Sequence, residues 1–165
     1  MTRHGLFKHY WWIALLVWAA GGIGAVFFFT TAERITLIGS ITAAALGFCY
    51  FVQRQKLAET RLFKDLFTDF NRRYGAINDR LVGLMDSDEP LNPSDRQTIV
   101  DYFNLCAEEY LFFSEGYIHQ AVWKSWCVGM LSYLDHEPYQ SVWRKESETN
   151  SYYGLSLNAI RQGAG

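Results

Sequence analysis

The sequence predicts an all-α protein, a two-helix transmembrane hairpin over residues 1–52 followed by a small cytoplasmic helical bundle over residues 53–165. Three observations lead there. Two apolar runs, 10–29 and 35–52, contain no charged side chain. From residue 53 onward apolar residues return at three- and four-residue steps, the period of an amphipathic helix. No segment shows the two-residue alternation of a half-buried strand, and there is no internal repeat.

Each apolar run has the length for a bilayer. A hydrocarbon core takes about 20 helical residues, with a range of roughly 17–25. A cleaved signal peptide competes as a reading of the first run, since Arg3 and Lys8 form a basic leader. Against it, the apolar stretch exceeds the roughly 7–15 residues of a signal core, and a second run follows almost at once. Positive charge sits at both outer flanks: Arg3 and Lys8 before the first run, Arg54, Lys56, Arg61 and Lys64 after the second. The connecting residues 30–34 carry only Arg34, offset by Glu33. This distribution predicts an inner-membrane protein with both termini in the cytoplasm. Trp11 and Trp12 suit the headgroup layer, as do Tyr10 and Tyr50. Arg54, Lys56 and Arg61 are placed to meet anionic headgroups.

Small residues recur along the runs at helical spacing. Gly39, Ala43 and Gly47 make one stripe in the second, and Ala20 with Gly24, and Gly21 with Ala25, have the same spacing in the first. Small side chains let helix backbones approach closely in lipid. The stripe is therefore expected to pack the hairpin's two helices together, since so short a loop brings them together anyway; the alternative is that it also joins a second copy or docks a membrane partner. No ionisable group lies at depth in either run, which argues against a proton or ion path. Ser40 and Thr36 are the candidates for lining a homo-oligomeric pore.

After the membrane, about 110 residues remain, enough for one small domain. Phe63, Leu66, Phe70, Tyr74, Ile77, Leu81 and Leu84 mark the apolar face of a long helix continuing from the second run and ending near Met85. Asp86, Ser87, Asp88, Glu89 and Pro90 form a loop. The next helix opens at a capping box of Ser94 and Gln97, with Pro93 blocking upstream continuation. Ile99, Phe103, Cys106 (or Ala107), Tyr110 and Phe113 make its buried stripe, and Gly116 suits its end. A third helix starts at Tyr117 and Ile118 and carries Val122, Trp126 and Met130, with Trp123 and Cys127 beside them. A fourth covers 139–148, with Pro138 in its first turn. Residues 149–154 read as a turn, and 162–165 as a flexible tail.

Composition narrows the function classes. Net charge is −2, so no overall field favours nucleic acid. Aromatic residues make up 17% of the chain, which supplies core area to a small domain. Cys49, Cys106 and Cys127 form neither a CxxC pair nor a dense framework, the usage of reduced thiols. Asn104, Glu108, Glu109, Glu115, His119 and Lys124 are the densest polar set. Glu115 and His119 have the i, i+4 spacing of an acid–base or metal pair. A di-iron bundle needs Glu-x-x-His on two helices, which this chain lacks. No catalytic residue, metal or cofactor is predicted. One of Glu108 and Glu109 is expected to be partly buried and paired with Arg144 or Lys145. Trp123, Trp126 and Trp143 read as core, and Tyr152 and Tyr153 as exposed aromatics for partner contact.

The texture of 102–155, with YFNLCAEEYLFFSEGYI, VWKSW and SVWRKESETNSYYGL, resembles an uncharacterised family of small bacterial helical domains often joined to short membrane anchors. The resemblance implies a helical fold and a bacterial source, and carries no activity to particular residues. The expectation is a non-enzymatic bacterial membrane protein. It would present a helical interaction domain to the cytoplasm and assemble with itself or a membrane-protein partner, with the lipid bilayer as its other partner and no nucleic acid. The alternative is a membrane effector of phage defence or superinfection exclusion, either an oligomeric pore-former or a blocker of nucleic-acid entry.

Overall fold

A computed structural model describes residues 3–28, 30–85, 87, 90–148 and 151–165. Phe29, Asp86, Asp88, Glu89, Thr149 and Asn150 of the predicted elements lie outside the described residues, as do the side chains of Arg3 and Lys8. The described residues form six α-helices and no strand: α1 (Arg3–Phe28), α2 (Thr31–Met85), α3 (Pro93–Ser114), α4 (Gln120–Leu134), α5 (Glu137–Ser147) and α6 (Leu157–Ala164). The chain divides into two compact units, Met1–Arg61 and Leu62–Gly165, with the division inside α2.

In the first unit, α1 and the opening of α2 are long and apolar enough to cross a membrane. A hydrogen bond and a close approach join them. The Trp18 indole Nε1 donates to Thr42 Oγ1 at 2.9 Å. A side chain at Gly21 would stand 2.8 Å from Ile41 Cδ1, so glycine makes room for the isoleucine.

The second unit is built around α3. Its buried residues are Thr98, Ile99, Tyr102, Phe103, Leu105, Cys106, Ala107 and Glu109. At roughly 100° per residue these occupy more than half of the helix circumference. That is wider than the predicted single stripe, in which Tyr110 and Phe113 prove only half-buried. The width follows from the neighbours: α3 packs on both α4 and α5. The far half of α2 adds Phe70, Leu81 and Leu84 to the same core. It is tied on by side chains. Tyr139 Oη donates to the Leu81 carbonyl at 2.6 Å, the Tyr74 and Tyr133 hydroxyls meet at 3.0 Å, and Arg80 reaches Asp95 and Ser94.

Helix ends follow local chemistry, with corrections to the predicted boundaries. Asn92 caps α3, accepting from the Asp95 N–H at 2.9 Å, and Pro93 sits in the first turn. The capping box at Ser94 and Gln97 is thus displaced, because an asparagine two residues earlier satisfies the free amides and proline's fixed φ suits the first turn. Gly116, at φ 80°, closes α3. The Tyr117 N–H bonds back to Phe112 O and the Gly116 N–H to Phe113 O, a Schellman ending. The turn this makes delays α4 to Gln120, leaving Ile118 buried ahead of it.

The predicted flexible tail is corrected outright. Residues 157–164 form α6, capped by Ser156 accepting from the Ala159 N–H at 3.2 Å. α6 and α4 make the most extensive helix–helix contact in the unit. Gly163 permits it, since a Cβ there would lie 2.5 Å from both Cys127 Sγ and Trp123 Nε1. Gly163→Ala is expected to cost roughly 1–3 kcal/mol through overpacking. Chemical denaturation followed by tryptophan fluorescence measures it, and an unchanged midpoint counts against this close fit.

Candidate functional site

Two features stand apart from ordinary packing: a charged cluster where α2 meets α3, and the apolar surface of the first unit.

Adjacent residues on a helix point about 100° apart, so Glu108 and Glu109 cannot share a face. Glu109 falls within the buried arc with Tyr102 and Cys106, at i, i+4 and i+7, and is only 6% exposed. Glu108 lies near the surface and accepts both arms of Arg73, Nη1 at 2.5 Å and Nη2 at 3.0 Å. Asp69, one turn before Arg73, adds a carboxylate at 3.8 Å. The predicted pairing with Arg144 or Lys145 is therefore corrected to Arg73, because α2 covers this part of α3; Arg144 instead pairs with Glu137 on its own helix.

Burial pushes the Glu109 carboxyl up from 4.5 to about 8; the nearby Arg73 charge opposes the rise and Glu108 adds to it. Donating to the Glu108 carboxylate holds Arg73 in its charged form. Burial also pushes the Cys106 thiol and Tyr102 phenol well up and Cys127 to about 12, so all three stay protonated near neutral pH. Thiols held in this form are poor nucleophiles.

The other members of the predicted polar set do not converge on this cluster. Glu115 caps the end of α3 and His119 the start of α4. The His119 ring lies 4.4 Å from that of Phe63. Lys124 Nζ donates to the Gly165 carbonyl at 2.9 Å, and Asn104 is exposed. Among the described residues, no group of three or more His, Cys, Asp or Glu could hold a metal ion. The free thiols Cys106 and Cys127 are buried, and Cys49 is half-buried.

Tyr152 is a further correction. It is 4% exposed, stacked on Trp143 at 5.4 Å, so it belongs to the core. Tyr153 is 59% exposed. The difference comes from a tight turn. Tyr153 and Gly154 both have positive φ, 51° and 84°, and the Leu155 N–H bonds to Tyr152 O at 2.8 Å. This pattern of a primed turn tucks both flanking side chains inward and leaves the tip outside.

In the first unit, Trp11, Trp12, Leu15, Leu16, Phe27, Ile35, Leu46 and Phe51 are exposed. Only 11% and 6% of the two most apolar windows is buried. Of the small residues, Gly21 lies against Ile41 of α2 and Ala25 is buried, while the stripe of Gly39, Ala43 and Gly47 faces away from α1. Side chains added at Gly24, Gly39 or Gly47 would meet nothing within 4 Å, and Ala20 and Ala43 are exposed. The reason is angular: Ile41, which meets α1, lies roughly 200° around the helix from Gly39. Thr36, Ser40 and Thr42 each donate a hydroxyl to the carbonyl four residues back, at 3.3, 2.9 and 2.7 Å. Arg54, Lys56 and Arg61 are exposed.

The chain matches no family model, no curated protein and no solved structure.

The Glu109 carboxyl has a consequence for stability. Between pH 4.5 and about 8 the folded state keeps a proton that the unfolded chain has released. Stability therefore falls as pH rises across this window and levels off above it. The expected contribution is a loss of up to ~1.4 kcal/mol per pH unit. Glu109→Gln should remove that slope, so the variant gains on the parent as pH rises. Denaturation curves collected from pH 5 to 9 decide it, and parallel pH profiles for the two proteins exclude it.

Proposed function

We propose that the chain is a non-enzymatic bacterial inner-membrane protein. Residues 10–29 and 35–52 cross the bilayer as a hairpin with both termini cytoplasmic. The helical domain serves interaction, and the protein assembles with itself or a membrane-protein partner.

The observation that carries this reading is the exposure of large apolar side chains along both candidate spans. A core helix of a water-soluble protein buries such residues, whereas these stand open among the described residues of their own unit. Lipid is their covering. The backbone of a helix satisfies its own polar groups, as the bilayer requires. Hydroxyl groups in the second span are likewise bonded within their helix. Flanking arginine and lysine set the orientation. The outward stripe at Gly39, Ala43 and Gly47 supports close approach of another helix, since the hairpin itself does not occupy it. For the domain, Tyr153 at an exposed turn is the aromatic best displayed to a partner.

In fractionated cells the full chain is expected to stay with the membrane after an alkaline carbonate wash. Tags at either end should be reached by protease only from the cytoplasmic side. Release by carbonate removes the membrane reading, and a periplasmic end removes the orientation. Gly39→Leu, Ala43→Leu and Gly47→Leu should insert normally and lower the oligomer fraction in mild detergent. Unaltered native mass in all three takes the stripe out of assembly.

A further inference from the structure

The turn between α5 and α6 holds two unfavourable features on adjacent residues, and they stand independently of the membrane reading. Tyr152 is 4% exposed, and among the described residues nothing pairs with its hydroxyl. A hydroxyl taken from water without a partner disfavours the closed form roughly five- to a hundredfold. Tyr153, the next residue, has φ 51°. There a Cβ crowds the following carbonyl, a penalty of roughly five- to thirtyfold. Glycine bears such a φ freely, as Gly154 does at 84°.

The inward side chains hold the turn closed against these penalties. The Tyr152 ring stacks on Trp143 at 5.4 Å and 20°, and Leu155 is buried. Phe103 meets the same indole edge-on at 4.9 Å. Trp143 is thus covered by one ring from α3 and one from the turn. A single backbone bond, from the Leu155 N–H to Tyr152 O at 2.8 Å, spans the turn. Breaking it relieves both penalties at once. Tyr153 returns to the extended region, and the Tyr152 hydroxyl reaches water. The ring of Phe103 stays on α3, so the packing of the larger helices is not required to change.

We propose that residues 152–155 form a lid over Trp143, which opens as a local unit ahead of the helical core and uncovers one face of the indole.

The test is amide hydrogen exchange on the full chain in detergent, read at Leu155 for the lid and at Phe103 for the core. Leu155 is expected to exchange roughly tenfold faster or more. Low urea should leave its rate nearly unchanged while Phe103 accelerates, because a local opening exposes little surface. Equal rates with equal urea dependence overturn the lid, since the turn then opens only with the bundle. Two variants address the two penalties. Tyr153→Asn supplies a residue that tolerates left-handed backbone and completes the pair with Gly154 that this turn favours, so it should slow Leu155 exchange roughly fivefold. Tyr152→Phe keeps the stacked ring and removes the hydroxyl, and should slow it by about the same factor. Unchanged or faster exchange in Tyr153→Asn shows that the tip carries no strain. The same result in Tyr152→Phe shows that the hydroxyl is satisfied when the turn is closed. Either outcome removes the imbalance that opens the lid and overturns it.

Discussion

Enclosure of α3 is the constraint on which the bundle depends. A helix buried on one face needs one partner, but one buried over more than half its circumference needs several at once. Here α4 and α5 pack against it and α2 closes the remaining side through long side chains. The arrangement also explains how a carboxylate comes to be inside. Glu109 falls within the arc that must be covered, so folding the apolar residues on either side carries it in with them. Its proton and the outer position of Arg73 follow from that burial.

Aromatic rings do much of the covering. Phe103 meets Trp143 at 4.9 Å, Trp143 stacks on Tyr152, and Phe113 stacks on Trp123 at 4.9 Å. Rings of this size fill the space between short helices with few residues, which suits a domain of this length. The tyrosines that reach the interior bring hydroxyls with them. Tyr139, Tyr74 and Tyr133 place theirs against a carbonyl or one another, joining α2 to α4 and α5. The first unit meets the same apolar chemistry in the opposite way, by leaving its rings and branched side chains on the outside.

Much of this was legible in the residues. Periodicity marked α2, α3 and α4, Gly116 marked a helix end, and Trp123 and Trp143 declared themselves as core. What was not legible depended on distant partners. Nothing within residues 157–164 announces a helix strongly, because eight residues cannot hold one without a surface to dock on. That surface is formed by Trp123 and Cys127 some forty positions earlier. Tyr152 and Tyr153 look alike in sequence, and only the left-handed turn separates them. For the charged cluster, the i, i+4, i+7 alignment of Tyr102, Cys106 and Glu109 was a readable sign of an inward carboxyl. The choice of Arg73 over Arg144 required knowing which helix covers it. Likewise, the glycine stripe was visible, but its direction was set by where Ile41 meets α1.

The docking of α6 makes it the cover of a buried thiol. A helix this short has little stability of its own, so lifting away and losing its helical form are nearly one event. Each such local opening uncovers Cys127 while the rest of the core remains closed. The rate at which that cysteine meets a small thiol reagent therefore reports the breathing of the last helix. The fold thus contains, at the contact of Gly163 with Cys127, its own chemical clock for a motion that leaves the larger helices in place.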